Sequence, residues 1–379
     1  MSINLDALHR QSTRRVLIGD VPVGGGAPIS IQSMTLASPV DVAASIEEIQ
    51  RLAEAGVDIV RTAVPSDEAA DKLPELVKNS PVPLVADIHF NYRLAIKAAE
   101  AGVAKLRLNP GNIGGADRVR AVVDAARARG LPIRVGVNAG SLERDLLKKY
   151  GRPTAEAMVE SARRHVRLLE DAGFEDTVIS LKASHVPLMI EAYRLAAREF
   201  TYPLHLGVTE AGTPRAGNIK SAVGIGTLLA EGIGDTLRVS LSADPVEEVH
   251  AARSILEALD LRRESIRIIA CPGCGRLQVD LIRLAEEVEE RTREIRKPLT
   301  VAVMGCAVNG PGEAREADIG VAGGKGEGLL YVRGKMVRKV REAEIIDALL
   351  DLIVEVEPDP DREQAASGTM TWTPDWQES

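Results

Sequence analysis

Cysteine is missing from the first two-thirds of this chain. All three cysteines fall late, in Cys271-Pro272-Gly273-Cys274 and in Gly305-Cys306-Ala307-Val308-Asn309-Gly310-Pro311-Gly312-Glu313. Thiols kept out of a large region and then gathered beside Gly and Pro turns point to a metal site more than to a disulfide. Aromatic residues are scarce, at 3%. Cores must therefore be aliphatic, and binding of single-stranded nucleic acid by base stacking has little support. Excess positive charge is also lacking. The formal net charge of -8 argues against a general polyanion binder, while leaving room for a local basic pocket. No apolar run approaches the ~20 residues that span a bilayer. The opening Met1-Ser2-Ile3-Asn4-Leu5-Asp6 lacks the basic-then-apolar layout of a signal peptide. These features lead us to expect a cytoplasmic protein with reduced thiols.

What is present is an alternation. Short β-branched runs at 30–35, 59–63, 84–88, 105–108, 133–137, 177–181, 204–208 and 236–240 are separated by helical stretches rich in Ala, Leu, Glu and Arg, such as 42–55 and 154–172. Eight strand–helix alternations over this length predict an α/β fold, a (β/α)8 TIM barrel over residues 1–260. An internal echo agrees. Leu52-Ala53-Glu54-Ala55-Gly56-Val57 resembles Ala98-Ala99-Glu100-Ala101-Gly102-Val103, with weaker copies ending at Gly173 and Gly232. Each reads as a helix ending on a left-handed Gly cap before the next strand. After a charged linker at 261–265 the pattern changes. Strands at 266–270, 300–304 and 319–322, helices near 279–295 and 343–354, a loop at 323–328 and a hairpin through Arg333-Gly334-Lys335 predict a small α+β domain over 266–355. The Pro-, Asp- and Ser-containing tail at 358–379 reads as disordered.

Active sites of such barrels lie at the carboxyl ends of the strands. Those ends carry Arg61, Asp87 and His89, Arg107, Arg134 and Asn138, Lys182, Glu210, and Arg238 with Ser240 and Ser242. Arg forks bind phosphate oxygens in pairs and Lys adds a point charge. The four arginines and the lysine therefore predict a pocket for a diphosphate or another doubly anionic small molecule. The competing reading pairs some of these bases with Asp87 and Glu210. Asp87 and His89, two residues apart, point the same way. They could orient hydroxyls or move a proton, or could serve a structural hydrogen bond. Glu210 could act as a general acid or stand as a solvated loop carboxylate.

Three thiols fall one short of a four-ligand cage. The small domain contains no histidine, so a structural zinc site would need a carboxylate. An iron–sulfur cluster with a non-cysteine fourth position is the favoured alternative, and Glu313 lies seven residues beyond Cys306 across a Gly-Pro-Gly turn. A pterin-type TIM-barrel transferase with a structural metal, and a non-catalytic iron–sulfur sensor, stay open at this point.

The stretches Ala86-Asp87-Ile88-His89-Phe90, Arg107-Leu108-Asn109-Pro110-Gly111-Asn112, Ile179-Ser180-Leu181-Lys182-Ala183-Ser184, Cys271-Pro272-Gly273-Cys274-Gly275-Arg276 and Met304-Gly305-Cys306 through Glu313 carry a family resemblance. The chain resembles the bacterial 4-hydroxy-3-methylbut-2-enyl diphosphate synthases of the methylerythritol phosphate route to isoprenoids, from about Arg14 to residue 355. The resemblance implies an oxidoreductase acting on 2-C-methyl-D-erythritol 2,4-cyclodiphosphate. It implies a 4Fe-4S cluster on Cys271, Cys274, Cys306 and Glu313, reduced by flavodoxin or ferredoxin. It further implies diphosphate binding by Arg61, Arg107, Arg134, Lys182, Arg238, Ser240 and Ser242 with Asn138 nearby, and hydroxyl contact and proton delivery by Asp87, His89 and Glu210. A homodimer in which the cluster domain acts on the partner's barrel is implied as well.

Overall fold

The computed structural model describes residues 9–359 apart from 307 and 309. The described chain divides into two compact units, meeting between Arg262 and Arg263. The tail expected to be disordered lies, from residue 360 on, outside the described residues.

In the first unit a hairpin comes first, β1 (Val16–Ile18) against β2 (Val21–Val23). Eight parallel strands follow: β3 (Ser30–Met34), β4 (Ile59–Ala63), β5 (Leu84–Asp87), β6 (Lys105–Arg107), β7 (Ile133–Asn138), β8 (Thr177–Lys182), β9 (His205–Leu206) and β10 (Thr236–Leu237). Their order is β8-β7-β6-β5-β4-β3-β10-β9, and a parallel bridge between Ile179 and Leu204 brings β8 to β9. The sheet thus closes on itself as the expected TIM barrel. The last two strands are shorter than the apolar runs suggested. Their chains leave the ladder at Gly207 and Arg238.

Helices between the strands start and stop where the sequence provides caps. The Asp41 side chain accepts from Ala44 N–H at the start of helix Val42–Ala55, and the Thr154 side chain accepts from Ala157 N–H before Ala155–Glu170. The echoed glycines Gly56, Gly102, Gly173 and Gly232 all have positive φ, between 71° and 93°. Outward strand residues such as Ile31, Val60, Leu84, Leu106, Ile133, Ile179, Leu206 and Leu237 pack under these helices in one apolar core. The barrel's aliphatic core therefore lies outside its lumen.

The hairpin β1–β2 was not expected from the sequence, although its Gly19-Asp20 turn between alternating Val and Ile is a hairpin signal. Its Val16, Ile18 and Val23 pack on Ile59, Val85 and Val178, the inward residues at the amino end of the barrel. The hairpin plugs that end.

The second unit is a five-stranded sheet, β11 (Arg267–Ala270), β12 (Thr300–Met304), β13 (Ile319–Gly324), β14 (Glu327–Val332) and β15 (Lys335–Arg341), in that order. The first three are parallel and the last two are hairpins. The 323–328 segment, expected as a loop, is mostly strand: β13 runs through Gly324, Lys325 and Gly326 make the turn, and β14 starts at Glu327. Val301, Val303, Val321 and Leu330 face the helices Leu281–Thr292 and Ile345–Glu355. On the other face, Ala302, Met304 and Ala322 meet Ala314 and Ala317 of the segment carrying helix Gly310–Glu316.

The plug generates a stability prediction. Ile18 is fully buried. Ile18→Ala should lower the free energy of unfolding by about 2–5 kcal/mol, measured by urea denaturation. A change below about 0.5 kcal/mol would mean that the hairpin does not seal the barrel.

Candidate functional site

Alternate strands supply each tier of a TIM-barrel lumen, and the strand register orders the tiers here. Nearest the plug are Ile59, Lys105, Val178 and Thr236. Above them come Gln32, Val85, Arg134 and His205, then Arg61, Arg107, Ser180 and Arg238. The next tier is Met34, Asp87, Gly136 and Gly207, and Ala63, Asn109, Lys182 and Ser240 stand at the mouth. Such lumens are ordinarily filled with branched aliphatics. This one holds six basic side chains, Arg61, Lys105, Arg107, Arg134, Lys182 and Arg238, with two buried carboxylates, Asp87 and Glu248, among them.

Most residues expected at the site are brought together. Arg107 Nη1 donates to Asp87 Oδ1 at 3.1 Å, and Arg61 Nε lies 3.8 Å from Asp87 Oδ2. His89 Nε2 is 3.6 Å from Asp87 Oδ2 while its Nδ1 faces Arg107 Nη1 at 3.4 Å, an arrangement that favours the Nε2–H tautomer. Burial opposes ionisation of Asp87, but the His89 bond and the two guanidiniums outweigh it and hold the carboxyl below its usual range. Arg134 donates from Nη1 to Ser180 Oγ at 2.7 Å. Asn138 is the register neighbour of Lys182. Arg238 donates from Nε and Nη2 to the two Glu248 oxygens at 3.0 and 3.1 Å. Ser240 is half-buried, and Ser242 is exposed, its N–H donating to Gly212 O at 2.9 Å.

Glu210 departs from expectation. It is exposed, with φ of 53°, and among the described residues it pairs with none of the lumen bases. The carboxylate that does pair is Glu248, which the sequence reading missed. It also accepts from Ser33 Oγ at 2.9 Å and Leu241 N–H at 3.0 Å, fixing both the arginine fork and the chain leading to Ser242. Its position on the helix Pro245–Ala258, four residues past the N-cap Asp244, looked like ordinary first-turn acidity. Met34 was missed too. Its Sδ accepts from Arg61 Nε and Nη2 at 3.1 and 2.9 Å, with Arg238 Nη1 at 3.5 Å. A thioether is a weak acceptor, so two guanidiniums meet at a point better suited to an anionic oxygen.

Two glycines make room for the bases. A Cβ on Gly136 would stand 2.7 Å from Arg107 Nε, and one on Gly207 would stand 2.7 Å from Lys182 Nζ. Crowding has an electrostatic cost. Burial, with Asp87 opposing and Arg238 and Arg107 adding, pushes Arg61 down to about 10. Burial, then Arg134, Arg238 and Arg61, pulls Lys182 well below the usual lysine range.

In the second unit the thiols gather at one end of the sheet. Cys271 follows β11 and donates its N–H to Val303 O at 3.4 Å, while Cys306 follows the neighbouring β12. Gln278 N–H donates to Gly305 O at 3.0 Å, lacing the loop of Cys271 and Cys274 to the turn of Cys306. None of the three is in a disulfide. An open cavity of ≈ 500 Å³ is lined by Cys306, Gly275, Arg276, Leu277, Gln278, Val308 and Lys325. Glu313 is exposed in the first turn of helix Gly310–Glu316. Among the described residues no three such side chains converge at ligating distance. Soft thiolates on adjacent strand ends, with one harder carboxylate, are a donor set that suits iron–sulfur ligation.

Two predictions follow from the lumen. Gly136→Ala should displace Arg107 and weaken diphosphate binding about tenfold or more; calorimetric titration showing unchanged affinity would remove Arg107 from the pocket. A bound dianion should also return Lys182 to its protonated form. Titrations above neutral pH should therefore show proton uptake, seen as an enthalpy that varies with the buffer. The sign for stability is opposite to that of a salt-bridged lysine. With the folded pKa lowered, the unfolded chain binds more protons, so the ligand-free protein gains stability as pH rises through the depressed value toward ~10.4. Proton release on binding would contradict this.

A GcpE TIM-barrel domain matches residues 13–253 and a GcpE protein C-terminal domain matches 267–355. The chain is 59% identical over 346 residues to a 4-hydroxy-3-methylbut-2-en-1-yl diphosphate synthase (flavodoxin) of Symbiobacterium thermophilum, covering 91% of this chain and 94% of that one. It is 59% identical to the protein of the same name from Geobacter sulfurreducens, covering 90% and 97%, and 57% identical to that of Geobacillus thermodenitrificans, covering 91% and 92%. Among solved structures, Yersinia pestis dihydropteroate synthase superposes with a TM-score of 0.45 at 15% identity, covering 65% of this chain and 98% of that one, a likeness too slight to bear on function. From these matches, which span both units, the chain belongs to the GcpE family of 4-hydroxy-3-methylbut-2-en-1-yl diphosphate synthases.

Proposed function

We propose that this chain is an iron–sulfur oxidoreductase that converts 2-C-methyl-D-erythritol 2,4-cyclodiphosphate to 4-hydroxy-3-methylbut-2-enyl diphosphate. Two electrons and a proton enter, a ring C–O bond to phosphate breaks, a C=C bond forms and a hydroxyl leaves as water. The observation that carries the reading is the excess of six bases, four of them buried and Arg61 and Arg238 half-buried, over two carboxylates in the barrel lumen, in a chain that is 59% identical to a named synthase.

In this reading Arg61, Arg107, Arg134, Lys182 and Arg238 hold the diphosphate, with Ser240, Ser242 and Asn138 donating at the mouth. Asp87, kept ionised by its neighbours, accepts from a substrate hydroxyl. His89, bonded between Asp87 and Arg107, keeps an N–H at the same place. Glu210, exposed at the rim, delivers a proton from solvent. Cys271, Cys274, Cys306 and Glu313 would hold a 4Fe-4S cluster, which when bound supplies electrons one at a time. The names of the relatives support flavodoxin as the donor, with ferredoxin as the alternative. The domains would be a barrel over 1–260 and a cluster domain over 266–355, working in a cytoplasmic homodimer in which one chain's cluster domain serves the other's barrel. Among the described residues no helix is long and apolar enough to cross a membrane.

The test is the iron, sulfide and zinc content of protein purified without oxygen, followed by turnover of the cyclodiphosphate. About four irons and four sulfides per chain are expected, with Glu313→Ala lowering iron retention and altering the spectrum of the reduced protein. One zinc and no sulfide would overturn the reading in favour of a transferase with a structural metal. A wild-type spectrum and turnover in Glu313→Ala would remove Glu313 from the ligand set.

A further inference from the structure

Beneath Arg61, Arg107 and Arg238 lies a second polar tier, of which the proposed reaction uses only Arg134. Lys105 rises from the plug end and is fully buried. Arg134 and Gln32 are 1% exposed and His205 is fully buried. Lys105 Nζ has one partner, Gln32 Oε1 at 3.2 Å. Both ring nitrogens of His205, Nε and Nη2 of Arg134, Nε2 of Gln32, and the hydroxyls of Ser30 and Thr236 are buried without a hydrogen-bond partner in the protein. By register they all project inward, from β3, β7, β9 and β10, toward the axis on which Lys105 of β6 also points.

Clustered orphan donors imply an occupant, because unsatisfied buried polar groups are rare and costly. Charge decides what kind. No carboxylate stands in the tiers of Lys105 and Arg134, burial and the neighbouring bases pull both well below their usual range, and Asp87 is already bonded to Arg107 and flanked by Arg61 and His89 above; an anion is what would restore both to their charged forms. Water would satisfy hydrogen bonds but leave both charges uncompensated. Ile59, Val85 and Val178 with the hairpin close the floor, so an occupant of this tier arrives from the mouth, past the upper bases. The geometry points to a small monovalent anion of halide size, bound between Lys105, Arg134, Gln32 and His205 under the diphosphate pocket. It lies one tier below the other diphosphate bases, shares Arg134 with them and is occupied in the substrate's absence. Burial and the surrounding cations hold His205 neutral, so its ring offers one N–H to the anion and repels nothing.

The test uses the full-length, substrate-free protein. Crystals transferred from chloride to bromide should show an anomalous peak within hydrogen-bonding distance of Lys105 Nζ and His205. At fixed ionic strength the wild type should melt at a higher temperature in chloride than in gluconate, and Lys105→Met should lose that difference. Ordered water in place of bromide, or bromide found only between Arg61 and Arg238, would overturn the proposal. Equal melting temperatures of the wild type in the two salts would do the same. Should Lys105→Met fail to fold, the bromide map of the wild type decides the matter alone. None of these readings depends on turnover or on an intact cluster, so the inference can fail while the proposed reaction stands, and the reverse.

Discussion

Like-charge repulsion inside the barrel is the constraint to which the rest of the first unit answers. Two unit charges ~4 Å apart at an effective dielectric of about 20 interact by about 4 kcal/mol. Six bases in one lumen therefore work against folding. What offsets them is geometry and the outer core. The aliphatic layer between strands and helices is continuous around the barrel and does not depend on the lumen being well packed. Asp87 and Glu248 are each shared, Asp87 among two guanidiniums and an imidazole, Glu248 among one guanidinium, a hydroxyl and a backbone N–H. Each carboxylate thus orders several partners at once. The remaining positive potential is what a multiply charged ligand would neutralise.

The second unit solves a different problem, that of presenting soft donors without an apolar cage. Its sheet alternates strictly. Val301, Val303, Val321 and Leu330 face one pair of helices, and Ala302, Met304 and Ala322 face the short helix bearing Glu313. Small residues on the second face let that helix lie close, and the chain crossing from β11 to β12 leaves its thiols at one end. The lacing bond from Gln278 to Gly305 joins the segment carrying Cys271 and Cys274 to the one carrying Cys306, where the proposed cluster ligands would cooperate.

Much of this was legible in the sequence, for physical reasons that can be named. The strand positions were, because β-branched runs and glycine caps repeat with the βα unit; Gly56, Gly102, Gly173 and Gly232 have the left-handed geometry that repetition implies. The arginine cluster was, because Arg61, Arg107 and Arg238 stand within two residues of a strand's carboxyl end; Arg134, the second residue of β7, lies a tier deeper than the rim it was read into. Glu248 was not, since an acidic residue in the first turn of a helix is commonplace and its partners lie on three other elements. Lys105 was hidden because a lysine opening a strand ordinarily reads as solvated. Gly136 and Gly207 read as loop glycines until the side chains lying across them are seen. The expectation for Glu210 failed because a carboxylate one residue past a strand looks the same in sequence whether it turns inward or out.

The hairpin at the amino end has a consequence for traffic. With Val16, Ile18 and Val23 seated on Ile59, Val85 and Val178, the lumen is a blind well with a single opening. Whatever enters past Asn109, Lys182 and Ser240 must go back out past them. Incoming and departing molecules cannot pass each other, and a diphosphate held by these bases, as proposed, would meet on leaving the same side chains that drew its precursor in. The grip that secures the ligand and the delay before the next one can enter are set by the same side chains.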